Sequence, residues 1–156
     1  MRTYSALIAA LLLLASAPIA AKTMMSSMAS PSITMTGQEH WKPGTGAMAG
    51  AQVAVLAGDP SKAGSFYVMR LKLPANTKFG SHFHDGGEYV TVISGTFYVG
   101  IGDKLDTSKM TTLGAGSFAY VPPGVHHYAI TKGPVVLQLE GVGPFTMSSV
   151  EKGGKM

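Results

Sequence analysis

From Gln38 onward the chain is cut into short apolar runs, and each break between them carries glycine, proline or asparagine. The runs are Gln52–Ala57, Ser65–Leu73, Ser81–His84, Glu88–Ser94, Thr96–Ile101, Ser117–Val121, His126–Thr131 and Val135–Glu140. β-Branched and aromatic residues fill them, as a pleated, half-buried surface favours. Between them lie Gly58-Asp59-Pro60, Pro74-Ala75-Asn76, Asp85-Gly86-Gly87, Ser94-Gly95, Gly102-Asp103, Pro122-Pro123-Gly124 and Lys132-Gly133-Pro134, which supply turn chemistry. No stretch beyond residue 40 holds a helical period. Short strands with this punctuation predict an all-β sandwich or barrel. The 156 residues suffice for one such domain. The longest irregular stretch, Gly102 to Lys109, is expected to protrude as a loop.

The first residues follow a different rule. Arg2 precedes an uninterrupted apolar run from Ala6 to Ala15, and the small, turn-prone Ser16-Ala17-Pro18-Ile19-Ala20-Ala21 follows. This is the layout of a secretory signal peptide, with cleavage expected near Ala20 or Ala21. The apolar run is too short for a comfortable membrane span. A periplasmic or secreted protein is therefore expected, with no stable membrane insertion after processing. Residues 22–37 form a Met- and Ser-rich linker; its Met24, Met25, Met28 and Met35 are thioethers of a kind that suits Cu(I), although a plain flexible arm explains them. The domain proper is placed at 38–150, with a short tail at 151–156. The chain has no cysteine, so neither a lipid-anchored cysteine nor a disulfide framework is available.

Charge excludes one large class of partner. The net charge is +4, and loss of Arg2 with the leader leaves +3. The lysines are dispersed and no basic run interleaved with aromatics occurs, so no nucleic-acid footprint is present.

The chemistry-bearing residues are histidines. His82, His84 and Glu88 read His-x-His-x-x-x-Glu, and Gly95 follows in a Ser-Gly turn where positive φ is expected. On a strand, residues two apart share a face, so His82 and His84 point the same way and Phe83 the other. The Asp85-Gly86-Gly87 turn then delivers Glu88 to the start of the next strand. A second segment runs from Gly116 to a turn with Pro123 and Gly124 at its second and third positions, type II or a close relative, and re-enters a strand at His126 and His127. Those two face opposite sides, so only one reaches a site shared with His82 and His84. Spacing does not choose between them. Imidazoles with a carboxylate are a first-row transition-metal ligand set.

These two segments resemble the two sequence motifs of the cupin superfamily, and the whole is similar to small, exported, single-domain bacterial cupins. The first motif falls on His82, His84, Glu88 and Gly95, the second on Gly116, Pro122, Gly124 and His127. Asn76 stands where the first motif opens on glycine, and Thr131 where the second closes on asparagine. The resemblance implies a cupin-type double-stranded β-helix, or jelly-roll barrel. It selects His127 over His126, so that His82, His84, Glu88 and His127 hold one divalent transition metal: Fe, Mn, Ni, Cu or Zn. It also implies a homodimer, for which outward Tyr89, Thr91 and Ile93 are the suitable surface.

Four protein donors leave open positions on a six-coordinate ion, which suits a dioxygenase-like enzyme acting on a small molecule. A metal-dependent binding or sensing module without catalysis is the alternative, since no catalytic residue is recognisable beyond the ligands. A metal-free structural barrel is the third reading. Parity places Val90 and Val92 inward with Glu88, and Ala129 and Thr131 inward with His127. On Ser65–Leu73 either Phe66, Val68 and Arg70 or Tyr67, Met69 and Leu71 face the interior. An inward Arg70 would clamp a carboxylate, but the outward orientation is favoured, as it is for Gln138 and Glu140. His126 and His40 are expected outside the site.

Overall fold

Alternation with a period of two governs the long strands. In Phe66–Leu73 (β3), Tyr67, Met69, Leu71 and Leu73 are buried while Phe66 and Lys72 are exposed. Val135–Val142 (β10) and Glu88–Ser94 (β5) alternate likewise. This is a computed structural model, and it describes residues 31–150. The expected leader at 1–21, most of the linker and the tail at 151–156 lie outside the described residues. Among the described residues no helix is long and apolar enough to cross a membrane.

The strands form two antiparallel sheets. One has the order β1-β2-β3-β10-β5-β8, where β1 is Lys42–Pro43, β2 Gln52–Ala57 and β8 Phe118–Val121. The other runs β11-β4-β9-β6-β7, with β4 Lys78–Phe83, β6 Thr96–Ile101, β7 Thr111–Gly114, β9 His127–Thr131 and β11 Ser148–Ser149. From β4 to β10 the chain passes back and forth between the sheets, with only the β6–β7 hairpin staying in one, which makes the expected jelly roll. One apolar cluster joins them: Met69, Leu71, Val90, Val92, Leu137 and Leu139 from the first sheet meet Phe79, Phe97 and Ala129 from the second.

The sequence reading needs adjustment at the edges. β4 starts at Lys78 rather than Ser81, and His84 lies just past its end. β7 was not expected. It is an edge strand paired only with β6, and its Thr111, Thr112, Leu113 and Gly114 are all exposed or half-buried, so no apolar alternation marks it. β1 and β11 are too short to leave a pattern. The loop from Gly102 to Lys109 contains a 3-10 turn, Thr107–Lys109, whose N-cap Asp106 accepts from the Ser108 amide and hydroxyl.

Three turns fix the ends of the strands that matter. Val125 N–H donates to Pro122 O at 3.2 Å and Gly124 has φ +72°, which is the type II turn the prolines and glycine predict. Asn76 takes φ +62°, a conformation asparagine tolerates. Its amide donates to Thr131 O, while the Thr131 hydroxyl donates to Pro74 O at 2.7 Å and accepts from Thr77 N–H at 3.0 Å. The two positions that depart from the motif pattern thus hold each other. Gly95 has φ +82° in the β5–β6 turn.

The outer face of the first sheet carries the polar residues of β3 and β10. Arg70 donates to Glu39 and to Gln138, and Gln138 donates to Glu140 at 2.9 Å. Lys72 lies over the Trp41 ring at 4.4 Å. Arg70 therefore faces away from the interior and anchors the segment that enters β1.

Substituting Gly95 tests the β5–β6 turn. A Cβ there would stand 2.3 Å from the Pro134 carbonyl oxygen, in a backbone conformation L-residues avoid. Gly95→Ala is expected to cost at least about 2 kcal/mol by urea denaturation. Gly133→Ala, with nothing near its Cβ, is expected to change stability by less than about 0.5 kcal/mol.

Candidate metal centre

The site forms where the two sheets meet. His82 on β4 and His127 on β9 are direct cross-strand partners, and their rings lie 4.1 Å apart. His84, one residue past β4, keeps the same direction, with its ring 5.1 Å from His82 and 5.2 Å from His127. Gly124 N–H donates to His84 O at 2.9 Å, so the type II turn that aims His127 also pins the backbone of His84. Glu88 opens β5 and faces the imidazoles from the other sheet. His82, His84, Glu88 and His127 are all buried, at 3%, 4%, 8% and 3% exposure.

Each imidazole is held by a backbone carbonyl. His82 Nδ1 bonds Gly80 O at 2.8 Å, His127 Nδ1 bonds Val125 O at 3.0 Å, and His84 Nδ1 bonds Thr146 O. A carbonyl only accepts, so Nδ1 carries a proton in all three and Nε2 is the nitrogen left for another partner, an acceptor in the neutral ring and a donor in the charged one. One ligand atom from each histidine falls within 4.8 Å of the others. Glu88 Oε2 stands 3.4 Å from His84 Nε2 and 3.5 Å from His127 Nε2. His84 Nε2 is buried and makes no hydrogen bond. Donors about 2.1 Å from one ion lie about 3.0 Å apart at a right angle and about 3.4 Å apart at a tetrahedral angle, so Glu88 and the two imidazoles would close in by a few tenths of an ångström on a six-coordinate ion. The spacing and the unsatisfied nitrogen therefore fit a shared cation.

Electrostatics prepares the donors. Burial opposes the Glu88 carboxylate, but His127 and His84 opposite it outweigh burial and hold its pKa down at about 2. Burial pushes His82 down to about 4, and the neighbouring His127 and His84 act in the same direction. Burial also opposes a charged His84, yet Glu88 and the Thr146 carbonyl prevail and raise it above the ordinary histidine value. Burial, with the Glu88 charge nearby, lifts the Tyr67 phenol to about 12, so it stays protonated.

His82, Glu88 and His127 open onto a cavity of about 40 Å³, walled by Leu71, Val90, Phe97, Leu137, Leu139 and other apolar side chains. That is room for a few water-sized molecules at most. Val90 and Ala129 line it, as parity predicts. Thr131 is buried too, but its hydroxyl is spent on the Pro74–Thr77 turn.

The other candidates fall outside. His126 turns away, with Nδ1 2.7 Å from Asp103 Oδ1 and its ring against Phe83. His40 is exposed. Arg70, Gln138 and Glu140 share the outer network.

Sequence reasoning missed the segment between β10 and β11. Thr146 supplies the carbonyl that orients His84, and Phe145 lies 5.1 Å from the His84 ring while lining the cavity. Met48 lines the same cavity from a 3-10 turn, Gly46–Met48. The available signal was two large apolar side chains inside glycine- and proline-rich loops.

The family described as "Cupin domain" matches residues 69–140, a span that holds all four candidate donors. No curated protein matches the chain in sequence. Among solved structures, an RmlC-like cupin from Shewanella frigidimarina is 19% identical with a TM-score of 0.55, covering 72% of this chain and 91% of that one. The polyketide cyclase RemF from Streptomyces resistomycificus is 15% identical with a TM-score of 0.62, covering 80% and 89%. A sugar phosphate isomerase of the cupin superfamily from Silicibacter pomeroyi is 18% identical with a TM-score of 0.53, covering 71% and 75%. Likeness at these identities is one of fold, the double-stranded β-helix.

The buried imidazoles predict an acid-sensitive metal-free protein. His82 titrates at about 4 when folded against 6.5 when unfolded, so between those values the unfolded chain takes a proton that the folded one refuses. Stability falls by about 3 kcal/mol across that window. His84 is shifted the other way, so its contribution is already complete below pH 6.5 and adds no slope there. Glu88 adds further loss from 4.5 down to about 2. Urea titrations of chelator-treated protein between pH 7 and pH 4 measure this, and His82→Leu is expected to flatten the decline.

Proposed function

We propose that this chain, which belongs to the cupin superfamily, holds one divalent transition metal on Nε2 of His82, His84 and His127 and on the Glu88 carboxylate, and works there on a small molecule. The unsatisfied Nε2 of His84 carries this reading. It is buried, left over once Nδ1 bonds the Thr146 carbonyl, and faces a carboxylate at a spacing that suits a shared ion. When bound, the ion supplies Lewis acidity, and Fe, Mn, Cu or Ni adds redox chemistry with dioxygen.

The chain's own residues prepare the site. Backbone carbonyls at Gly80, Val125 and Thr146 set the tautomers and ring orientations, as outer partners of metal-binding histidines do. Glu88 is ionised at neutral pH and balances the charge of a cation. The apolar wall excludes bulk water and strengthens every charge interaction inside. The favoured activity is that of a dioxygenase-like oxidoreductase.

Binding or sensing without catalysis is the second reading, and one observation favours it. Among the described residues the cavity wall carries no titratable side chain other than His82, Glu88 and His127. Any proton transfer would fall to groups that also serve the metal.

Export to the periplasm or beyond belongs to the same proposal. Its support is Arg2, the apolar run from Ala6 to Ala15 and the small residues after it. A homodimer is supported by the outer surface of β5 and β8, where exposed Tyr89 stacks on exposed Tyr120 at 4.7 Å beside exposed Phe118. Light scattering after size exclusion reads that state.

Elemental analysis of natively purified protein is expected to find about one transition metal per chain. His127→Ala is expected to weaken metal affinity at least about a hundredfold without unfolding the barrel. Protein that carries no metal, and takes up none after purification, would exclude the metal reading. With iron or manganese loaded, oxygen consumption over phenols, diketones and oxalate separates the readings: turnover supports the enzyme, tight stoichiometric binding without turnover the sensor.

A further inference from the structure

The cavity at the metal donors is not the largest space beside them. A groove of about 450 Å³ lies outside it, lined by His40, Lys42, Thr45, Ser61, Val53 and Val55 among others. Met48 and Phe145 line both spaces, so these two side chains are the partition between them. Phe145 also borders a small crevice against Gly86, Gly87 and Thr146.

Both partition residues sit outside the long strands. Met48 ends the 3-10 turn Gly46–Met48, and Phe145 lies between β10 and β11, with its amide held by Pro60 O at 2.7 Å. Both are half-buried. Methionine is unbranched and repacks at low cost, so this wall yields more easily than the interlocked β-branched and leucine side chains elsewhere around the cavity. An organic molecule of more than a few heavy atoms does not fit within about 40 Å³. If its reacting end lies at the donors, its remainder has to pass Met48 and Phe145 and rest in the groove.

The groove has a definite chemistry. Val53, Val55, Pro60 and Met69 make its floor apolar. Lys42 is its fixed charge, with no ion pair among the described residues, and His40 and Thr45 add polar groups. Among the described residues no carboxylate lines it. The nearest acids in sequence are occupied: Glu39 accepts from Arg70, and Asp59 accepts from the Ser61 amide and hydroxyl. An apolar floor with a free ammonium at its rim complements an organic anion.

We infer that the groove is the distal half of the ligand site, that Met48 and Phe145 are its gate, and that the ligand is an organic anion with an apolar body whose charged end is held by Lys42. The gate is where specificity for size is set, and Lys42 is where specificity for charge is set. The inference rests on the metal-centred reading only for the position of the reacting end.

Full-length processed protein, with its metal content measured, tests this by calorimetry with 4-phenylbutyrate and its neutral counterpart 4-phenylbutan-1-ol, before and after chelation. The anion is expected to bind at least tenfold more tightly than the alcohol. Lys42→Ala is expected to abolish that preference while leaving metal content and alcohol binding unchanged, and Lys42→Arg to restore it. Phe145→Ala, with Phe145→Leu as the milder variant, is expected to speed metal extraction by 1,10-phenanthroline at least tenfold at unchanged metal content. Equal binding of acid and alcohol, or a preference that survives Lys42→Ala, overturns the anion site. Extraction rates unchanged in both Phe145 variants overturn the gate. Absence of metal sinks the metal reading instead, and the calorimetry on metal-free protein still decides the groove.

Discussion

Three hydrogen bonds from imidazole Nδ1 to backbone carbonyls organise this protein. Burying a histidine without a partner is costly, and burying three against one another would be more so. Gly80, Val125 and Thr146 satisfy one nitrogen of each ring. The other nitrogen is left over, and in His84 and His127 it faces Glu88. The barrel is built so that these carbonyls are free: Gly80 lies within β4, Val125 closes the type II turn, and Thr146 sits in the irregular stretch before β11. What remains unsatisfied, His84 Nε2, is a polar atom that a cation can complete.

The position of the donors follows from strand parity and two turns. His82 and His84 stand two apart, and the Asp85-Gly86-Gly87 turn passes the chain to the other sheet, so Glu88 meets the imidazoles from across the barrel. Those relations are local and were legible in the sequence. The Pro123-Gly124 turn was legible for the same reason, since its third position requires positive φ and glycine supplies it. The choice between His126 and His127 was legible only through the motif resemblance, not through strand geometry. Adjacent residues on a strand face opposite sides, and parity alone does not say which side is the interior. The structure places His127 opposite His82 and leaves His126 to Asp103.

The parts that sequence did not disclose are contacts between distant segments. Thr146 reaches His84 from 62 residues away, and no local pattern encodes that meeting. Phe145 and Met48 sit in loops, where apolar periodicity has no meaning. β7 was hidden because an edge strand with exposed and half-buried side chains leaves no alternation. Arg70 shows the opposite case. Once Tyr67, Met69 and Leu71 are taken into the core, parity obliges Arg70 to face out, and its guanidinium finds Glu39 and Gln138 there.

The same economy of polar groups bears on how selective the site can be. A cavity walled by leucine, valine and phenylalanine discriminates weakly among apolar shapes, because a methylene more or less is worth only about 1–3 kcal/mol. Polar groups placed in apolar surroundings discriminate far better, since a mismatched ligand leaves them unpaired. Among the described residues the inner wall offers such groups only at His82, Glu88 and His127. The next polar groups along the path outward are those of the groove beyond Met48 and Phe145. On the proposed reading, recognition of anything larger than a few atoms is divided between two places, one that orients the reacting end by coordination and one that reads the rest by charge. The apolar partition between them keeps water from the first while leaving the second wet.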